Sequence, residues 1–495
     1  MAALSLLAID EPVDSSVQVV DPAPEIRKAE LGQFMTPAAI ATFMAKQFDT
    51  QNLSDVVLLD AGAGQGSLSA AFTARWEKSA NSGSRLTIHA YELDPRMIGI
   101  LEPMLRSLET DERISTEIIG GDFIANAAAQ IQLNKRIYTH AILNPPYKKI
   151  GSDSSARKIL SGVGIETVNL YSGFVALSLD MLKDGGELVA IIPRSFCNGP
   201  YYKSFRKFLL ARAAIQSIHL FDSRDQAFAD DDVLQENVII RLKSGARQGH
   251  VVITRSTNSS FNDFKSDLFA FDRIVFPEDR EQFIRIPSGL EERSLGAISG
   301  YSSTLQDIGV SVSTGPIVDF RMKEHLQMAA LPGSVPLLYP GHFIDGKLVW
   351  PRPNFKKPNA IAENDETRRW LFPRGFYVAV KRFSSKEEKR RIVATLIDPA
   401  ALPDSPIGFE NHLNVIHINK EPLSEDLARG LVVYLNAKVV DDWFRQFNGH
   451  TQVNATDLRS LPYPSTAKLI ELGKWSMSTP RLNQTDIDLK VAGAE

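Results

Sequence analysis

Apolar residues in the first half of the chain fall into short runs separated by stretches with helical spacing. The runs "VVLLD" (56–60), "LTIHAYE" (86–92), "STEIIGGD" (115–122), "THAILN" (139–144) and "GELVAIIP" (186–193) are short and bounded, which predicts buried strands. Between them, stretches such as "SLSAAFTARWEKSA" and "NLYSGFVALSLDMLK" read as helices. Strand–helix alternation implies right-handed crossovers and a mostly parallel sheet. Two further runs, "AIQSIHLFD" and "VLQENVIIRLK", have no long helix between them and can close that sheet as an antiparallel pair.

Near residue 250 the pattern breaks into short strands, loops and prolines. One late helix is predicted, because Leu427, Leu431, Leu435, Val439, Trp443 and Phe447 recur every fourth residue. Ser424 is its expected cap, Glu425 and Asp426 fill its first turn, and "NG" at 448–449 ends it. The expected division is a flexible tail over 1–25, an α/β catalytic domain over 26–250, a mixed α+β domain over 251–475 and a second tail over 476–495.

Composition alters this picture little. The chain has 495 residues, 43% hydrophobic and 23% charged, which is ordinary for a globular protein of two or three domains. A net charge of -4 offers no general attraction to nucleic acid, so such a partner would need a local basic face. The single cysteine, Cys197, excludes an intrachain disulfide and fits a reducing compartment. No apolar window approaches the ~18 residues of a membrane span, and the start lacks the basic region of a signal peptide. The cytoplasm is the expected location. The histidines show no metal-ligand spacing; His412 and His417, in "HLNVIH", read as a strand, and no metal is expected.

In an open parallel sheet, ligands bind beyond the carboxyl ends of the strands, so the residues there carry the chemistry. The first run ends in "LLDAGAGQGSL", where Gly62, Gly64 and Gly66 follow Asp60 and Ala61. Their G-x-G-x-G spacing differs from the G-x-G-x-x-G that places a pyrophosphate at a helix start, and suits a nucleoside carrying a sulfonium. The second run ends at Glu92, a carboxylate placed to accept ribose hydroxyls. The third ends at Asp122 and Phe123, which can take an adenine amino group and cover its ring. The fourth ends in "NPPY", Asn144 to Tyr147. Pro146 biases Pro145 toward extended backbone, so the Asn144 amide oxygen and the Pro145 carbonyl form a rigid pair of acceptors for the two hydrogens of an exocyclic amine. Tyr147 can stack on the ring bearing that amine.

These sites, in this order, resemble the class I methyltransferases that use S-adenosylmethionine. The stretch "GQFMTPAAIATFMA" (32–45) is similar to the amino-terminal motif that closes over the methionine part of the cofactor, and "HTQVNATDLRSLPYP" (450–464) to a closing motif of the target-recognition part. The whole is similar to gamma-group N6-adenine DNA methyltransferases of the BsuBI/PstI restriction–modification type. That resemblance implies a Rossmann-like domain with a mostly parallel seven-stranded sheet and a C-terminal target-recognition domain. It also implies transfer of a methyl group to an adenine flipped out of double-stranded DNA. Carried over by motif, Thr36, Asp60, Ala61, Gly62, Gly64, Glu92, Asp122 and Phe123 would hold S-adenosylmethionine. Asn144, Pro145, Pro146 and Tyr147 would hold the base, with Phe174 and Phe228 stacking near it.

A basic face is expected in "VKRFSSKEEKRR" (380–391), with Lys381, Arg382, Lys386, Lys389 and Arg390 as DNA contacts, joined by Asn448, His450, Gln452 and Asn454. "DGK" (345–347) reads as a hairpin turn rather than part of a nuclease, so any cognate endonuclease would be a separate partner. N4-cytosine methylation has the same amine geometry and stays open, although its enzymes often carry serine at the position of Asn144. A catalytically inactive DNA-binding regulator is the alternative from another class; methylation of protein or RNA amines would leave the second half of the chain without a role.

Overall fold

The computed structural model describes residues 35–49, 54–221, 236–287, 300–384, 388–448, 452–479 and 482–493. The first half is a doubly wound α/β domain. Its strands are β1 (Asp55–Ala61), β2 (Arg85–Glu92), β3 (Ile114–Gly120), β4 (Tyr138–Leu143), β5 (Leu182–Pro193), β6 (Ala213–Phe221) and β7 (Asn237–Ser244). They lie in the order β3-β2-β1-β4-β5-β7-β6, with β7 antiparallel to both of its neighbours and the other pairs parallel. The antiparallel closing pair read from the sequence is therefore present. The sheet then continues past the expected boundary at 250 through β8 (Val251–Ser256) and β9 (Lys265–Phe269), giving nine strands.

Alternation along β5 explains the two cores. Leu188, Ala190 and Ile192 enter one apolar cluster, while Val189 and Ile191 enter the cluster on the other face. The first face is covered by α4 (Phe123–Gln132), α5 (Ser155–Gly162), α6 (Leu170–Met181) and α7 (Lys203–Arg212); the second by α1 (Ala38–Lys46), α2 (Ser67–Glu77) and α3 (Pro95–Leu108). Almost every residue of α6 is buried, as a helix apolar on all sides must be.

The second half is built on a four-stranded antiparallel sheet, Ser311–Thr314, Leu413–His417, Tyr377–Lys381 and Ala394–Ile397, covered by the late helices. "DGK" does form a hairpin turn: Phe343–Ile344 pairs with Lys347–Leu348, and Asp345 and Gly346 take positive φ.

Two further expectations, beside the seven strands and the boundary at 250, are corrected here. The single late helix is two, Glu425–Leu435 and Lys438–Phe447, broken at Asn436 and Ala437. Ser424 caps the first as expected. A strict four-residue repeat drifts about 40° per step around a helix, so six such positions cannot share one face. The break is exploited by Asn436, whose side chain accepts from Ala394 N at 3.1 Å and donates to Ala394 O at 2.7 Å, fastening the helix to a strand end. The region 476–495 is not a tail among its described residues. It holds the end of helix Thr466–Ser478 and a further helix, Gln484–Ala492, capped by Asn483 and Asp486, with Val491 buried in the core. The expected tail over 1–25 lies outside the described residues.

A buried polar seam joins the halves. Arg194, just past β5, pairs with Glu236 at 2.8 Å and donates to Arg445 O and Gln446 O at 3.0 and 2.8 Å, at the carboxyl end of helix Lys438–Phe447. Asn198 donates to Asp457 Oδ1 at 3.3 Å.

Candidate active site

The carboxyl ends of β1, β2, β3 and β4 open onto one cleft of about 290 Å³. It is lined by Gly62, Gly64, Glu92, Asp122, Phe123, Asn144, Pro146 and Phe174, which brings together most of the residues read from the strand ends.

The glycine loop is shaped by backbone that other residues adopt at a cost. Gly62, Gly64 and Gly66 have φ of 82°, 56° and 84°. A β-carbon on Gly64 would meet nothing within 4 Å, and one on Gly66 would strike Met104 Cε at 1.7 Å. Gly64 thus keeps the cleft floor open and Gly66 lets α2 approach α3. Glu92 organises the loop from the next strand. Its Oε2 accepts from Gly64 N at 2.8 Å, and its Oε1 accepts from Leu93 N and Asp94 N, both at 2.8 Å. These contacts fix the carboxylate at the cleft wall.

Asp122 caps α4, accepting from Ile124 N at 2.9 Å. Phe123 packs edge-on to Tyr91 (5.0 Å) and tilts against Phe174 (4.7 Å). Phe174 therefore sits against Phe123 and the glycine loop.

Asp60 and Ala61, expected to line the cleft, do not. Both are fully buried, and Asp60 accepts from Ser69 Oγ at 2.7 Å, behind the loop. Alternation at the end of β1 turns the Asp60 side chain toward α2. Burial outweighs the Ser69 hydrogen bond and, with Glu92 nearby, pushes the Asp60 carboxyl up to about 7.

At the end of β4, Asn144 Nδ2 donates to Thr36 Oγ1 at 2.9 Å, and the Tyr147 hydroxyl lies 3.1 Å from both Asn144 Oδ1 and Ile191 O. In this arrangement the Thr36 hydroxyl accepts from the Asn144 amide nitrogen and the Tyr147 hydroxyl donates toward its oxygen. One hydroxyl proton is shared between two acceptors, and burial holds Tyr147 in its protonated form. Thr36 therefore reaches the site through Asn144 and does not line the cleft. Pro145 is buried; Pro146 lines the cleft.

Among the lining residues that the sequence reading missed are Met35, Leu93, Met97 and Lys148. An apolar side chain directly after a strand-end carboxylate, as with the 58% exposed Leu93, and a lysine directly after "NPPY" were the available signals. Phe228 lies outside the described residues.

In the second half, "VKRF" and the closing motif are brought together. Phe383 bridges Gln452, Val453 N donates to Arg382 O at 2.7 Å, and Arg382 reaches Gln452 Oε1 at 3.5 Å. Lys381, Lys389 and Gln452 keep some exposure on this surface. Several expected DNA contacts are instead engaged within the protein. Arg390 donates to Gln484 at 2.8 Å, Asn448 accepts from Arg391 at 2.7 Å while 2% exposed, and Asn454 caps helix Ala455–Arg459. Arg390 and Asn448 meet partners more than fifty positions away in the chain and Asn454 meets the start of its own helix, which sequence spacing does not reveal. Lys386 and His450 lie outside the described residues. The described His, Cys, Asp and Glu groups contain one cluster with metal-ligand proximity, Glu324, His325 and Glu366, far along the chain from this cleft. No described helix is long and apolar enough to cross a membrane.

The strand order, the glycine turn after β1 and the acidic end of β2 define a class I S-adenosylmethionine-dependent methyltransferase fold. The chain is 49% identical over 489 residues to the type II methyltransferase M.BsuBI of Bacillus subtilis, covering 97% of each. It is 42% identical to M.PstI of Providencia stuartii, covering 94% of this chain and 92% of that one. Residues 105–228 match the Eco57I restriction-modification methylase family. The chain belongs to the BsuBI/PstI-type restriction–modification methyltransferases. Among solved structures, its fold is similar to that of the type IIL restriction-modification enzyme MmeI, solved with DNA (TM-score 0.54, 10% identity, 95% of this chain and 72% of that one). It is also similar to DrdV, likewise solved with DNA (TM-score 0.52, 13% identity, 91% and 57%).

Proposed function

We propose that this chain methylates N6 of adenine in double-stranded DNA, using S-adenosylmethionine, as the modification half of a restriction–modification system. The observation that carries the reading is the Thr36–Asn144–Tyr147 arrangement at the end of β4, beside a cleft whose other wall is the Glu92-braced glycine loop.

The cleft suits the cofactor on its own terms: an open glycine floor, a carboxylate held at the wall for the ribose, and apolar Leu93, Met97 and Phe123 around a flat ring. When bound, the cofactor supplies a methyl group on a cationic sulfur. The residues of the chain do the rest. Asn144 Oδ1, which faces the Tyr147 hydroxyl, accepts together with the Pro145 carbonyl the two hydrogens of the target amine. The nitrogen lone pair is thereby aimed at the methyl carbon. Transfer of that methyl group to the nitrogen would leave the amine one proton to lose to water. Tyr147, anchored through its hydroxyl, offers its ring face to the base, which must leave the duplex to arrive there.

No covalent enzyme intermediate is needed. Cys197 fits this, being fully buried with its thiol pushed up to about 12 by desolvation. Asn144 favours adenine over the N4 of cytosine. The protein's net charge of -4 places DNA attraction on local groups, of which Lys148 at the cleft and Lys381 and Lys389 on the second half are candidates.

The test is transfer of tritiated methyl from S-adenosylmethionine to unmethylated plasmid DNA, with nucleoside analysis, for the wild type and Asn144→Ala. N6-methyladenine from the wild type and none from the variant is expected. N4-methylcytosine would overturn the base, and label in protein or RNA the substrate. Cofactor binding without any transfer would favour the regulator reading.

A further inference from the structure

Beyond the cleft, the segment after β5 carries a feature that the chemistry above does not use. Tyr201 is 75% exposed, the most exposed large apolar side chain among the described residues. Its neighbour Tyr202 is buried and points inward, accepting from Asn169 Nδ2 and stacking on Tyr171 at 5.7 Å. Tyr171 in turn meets Tyr147 edge-on at 6.2 Å. Asn169 bridges Lys149, and Leu170 N donates to Lys148 O at 2.8 Å. The loop that carries Tyr201 therefore follows the carboxyl end of β5, beside β4, and the rings of Tyr202 and Tyr171 stand between it and the ring proposed to receive the base.

The segment is held in place by an unusual investment. Arg206 is 0% exposed, and its guanidinium donates to Phe196 O (3.0 Å), Gly199 O (2.9 Å) and Glu281 O (3.0 Å) while lying over Phe283. Gly199 is required by close approach: a β-carbon there would lie 2.7 Å from the Tyr202 ring and 2.8 Å from Ser195 O. Burying a guanidinium carries a large desolvation cost, which backbone carbonyls offset only if the loop keeps one shape. The fold thus fixes the backbone of a loop whose outermost side chain touches little of the protein.

We propose that Tyr201 enters the duplex beside the target base and fills the space that the base leaves. The assignment rests on the base-flipping DNA methylation reading above. A ring stacks on any base, so the role demands no sequence at that step, and a rigid loop loses little freedom when the ring is inserted. Tyr201 acts as a positioning residue: it stabilises the open duplex and touches neither the methyl group nor the amine.

The experiment first reads the target site by sequencing plasmid DNA methylated by the wild type. Single-turnover methylation is then measured on two duplexes carrying that site, one with thymine opposite the target adenine and one with an abasic position there. Tyr201→Ala is expected to slow the paired duplex by about tenfold and to lie within about threefold of wild type on the abasic one. Tyr201→Trp is expected to keep the paired rate. Because Tyr201 is exposed, both variants should melt with the wild type. An equal loss on both duplexes, or no loss on either, overturns the assignment. A wild type that modifies no base in DNA instead removes the reading beneath it, and that control is scored before any variant.

Discussion

Replacing Arg194 by methionine tests how the two halves are held together. Its side chain is 7% exposed and that of Glu236 is 6%, with Nη1 and Oε1 2.8 Å apart. Nη2 also satisfies Arg445 O and Gln446 O, at a helix end where a cation is favoured. Methionine keeps the volume and removes the charge, leaving a buried carboxylate without its guanidinium. Removing one partner of a buried pair costs about 3–5 kcal/mol, and the two carbonyls lose their donor as well. With a urea dependence of about 3 kcal/mol per molar, the midpoint should fall by about 1 M or more. Tryptophan fluorescence is the assay, since Trp443 lies in helix Lys438–Phe447 and packs on Phe276 at 5.4 Å. Arg194→Met with Glu236→Gln should recover much of the loss, because the stranded charge is gone. A double variant as unstable as the single one, or a single variant within about 1 kcal/mol of wild type, would refute the view that the pair's charge, rather than its packing, sets this cost.

Three further outcomes follow from the cleft and its supports. Glu92→Gln should weaken S-adenosylmethionine binding by about tenfold or more in equilibrium dialysis, since a charged acceptor held by three backbone donors is lost; unchanged affinity would remove Glu92 from the cofactor site. Gly66→Ala should destabilise by about 1–3 kcal/mol in thermal melts, because it forces a side chain into left-handed backbone against Met104. His219 is 1% exposed and burial lowers its imidazole to about 3, below the usual 6.5. Between those values the unfolded chain binds the extra proton, so this stability is present near neutrality and lost as pH falls. From pH 7.5 to 5, the wild type should lose about 2 kcal/mol more than His219→Gln in urea titrations. Asp60, raised to about 7 by burial, acts in the opposite sense in both proteins and cancels in the comparison.

Much of this protein was written locally. Strand runs such as "VVLLD" and "GELVAIIP" announce themselves because a strand buried on both faces must be apolar throughout, and Gly62, Gly64, Glu92, Asp122 and Asn144 are found because ligands gather where such strands end. What the sequence could not determine are outcomes that depend on a distant partner. Asp60 looked like a cleft residue until the turn of β1 aimed it at Ser69. Leu427 to Phe447 looked like one helix until Asn436 found a strand end at Ala394. Asn448 and Arg390 looked available for DNA until Arg391 and Gln484 claimed them. Even the Thr36–Asn144 contact joins residues 108 positions apart. Periodicity and strand-end chemistry are properties of a few neighbouring residues and survive in one dimension. Which polar group satisfies which is settled only when the chain has closed on itself, because each buried donor must take whatever acceptor the packing brings within reach.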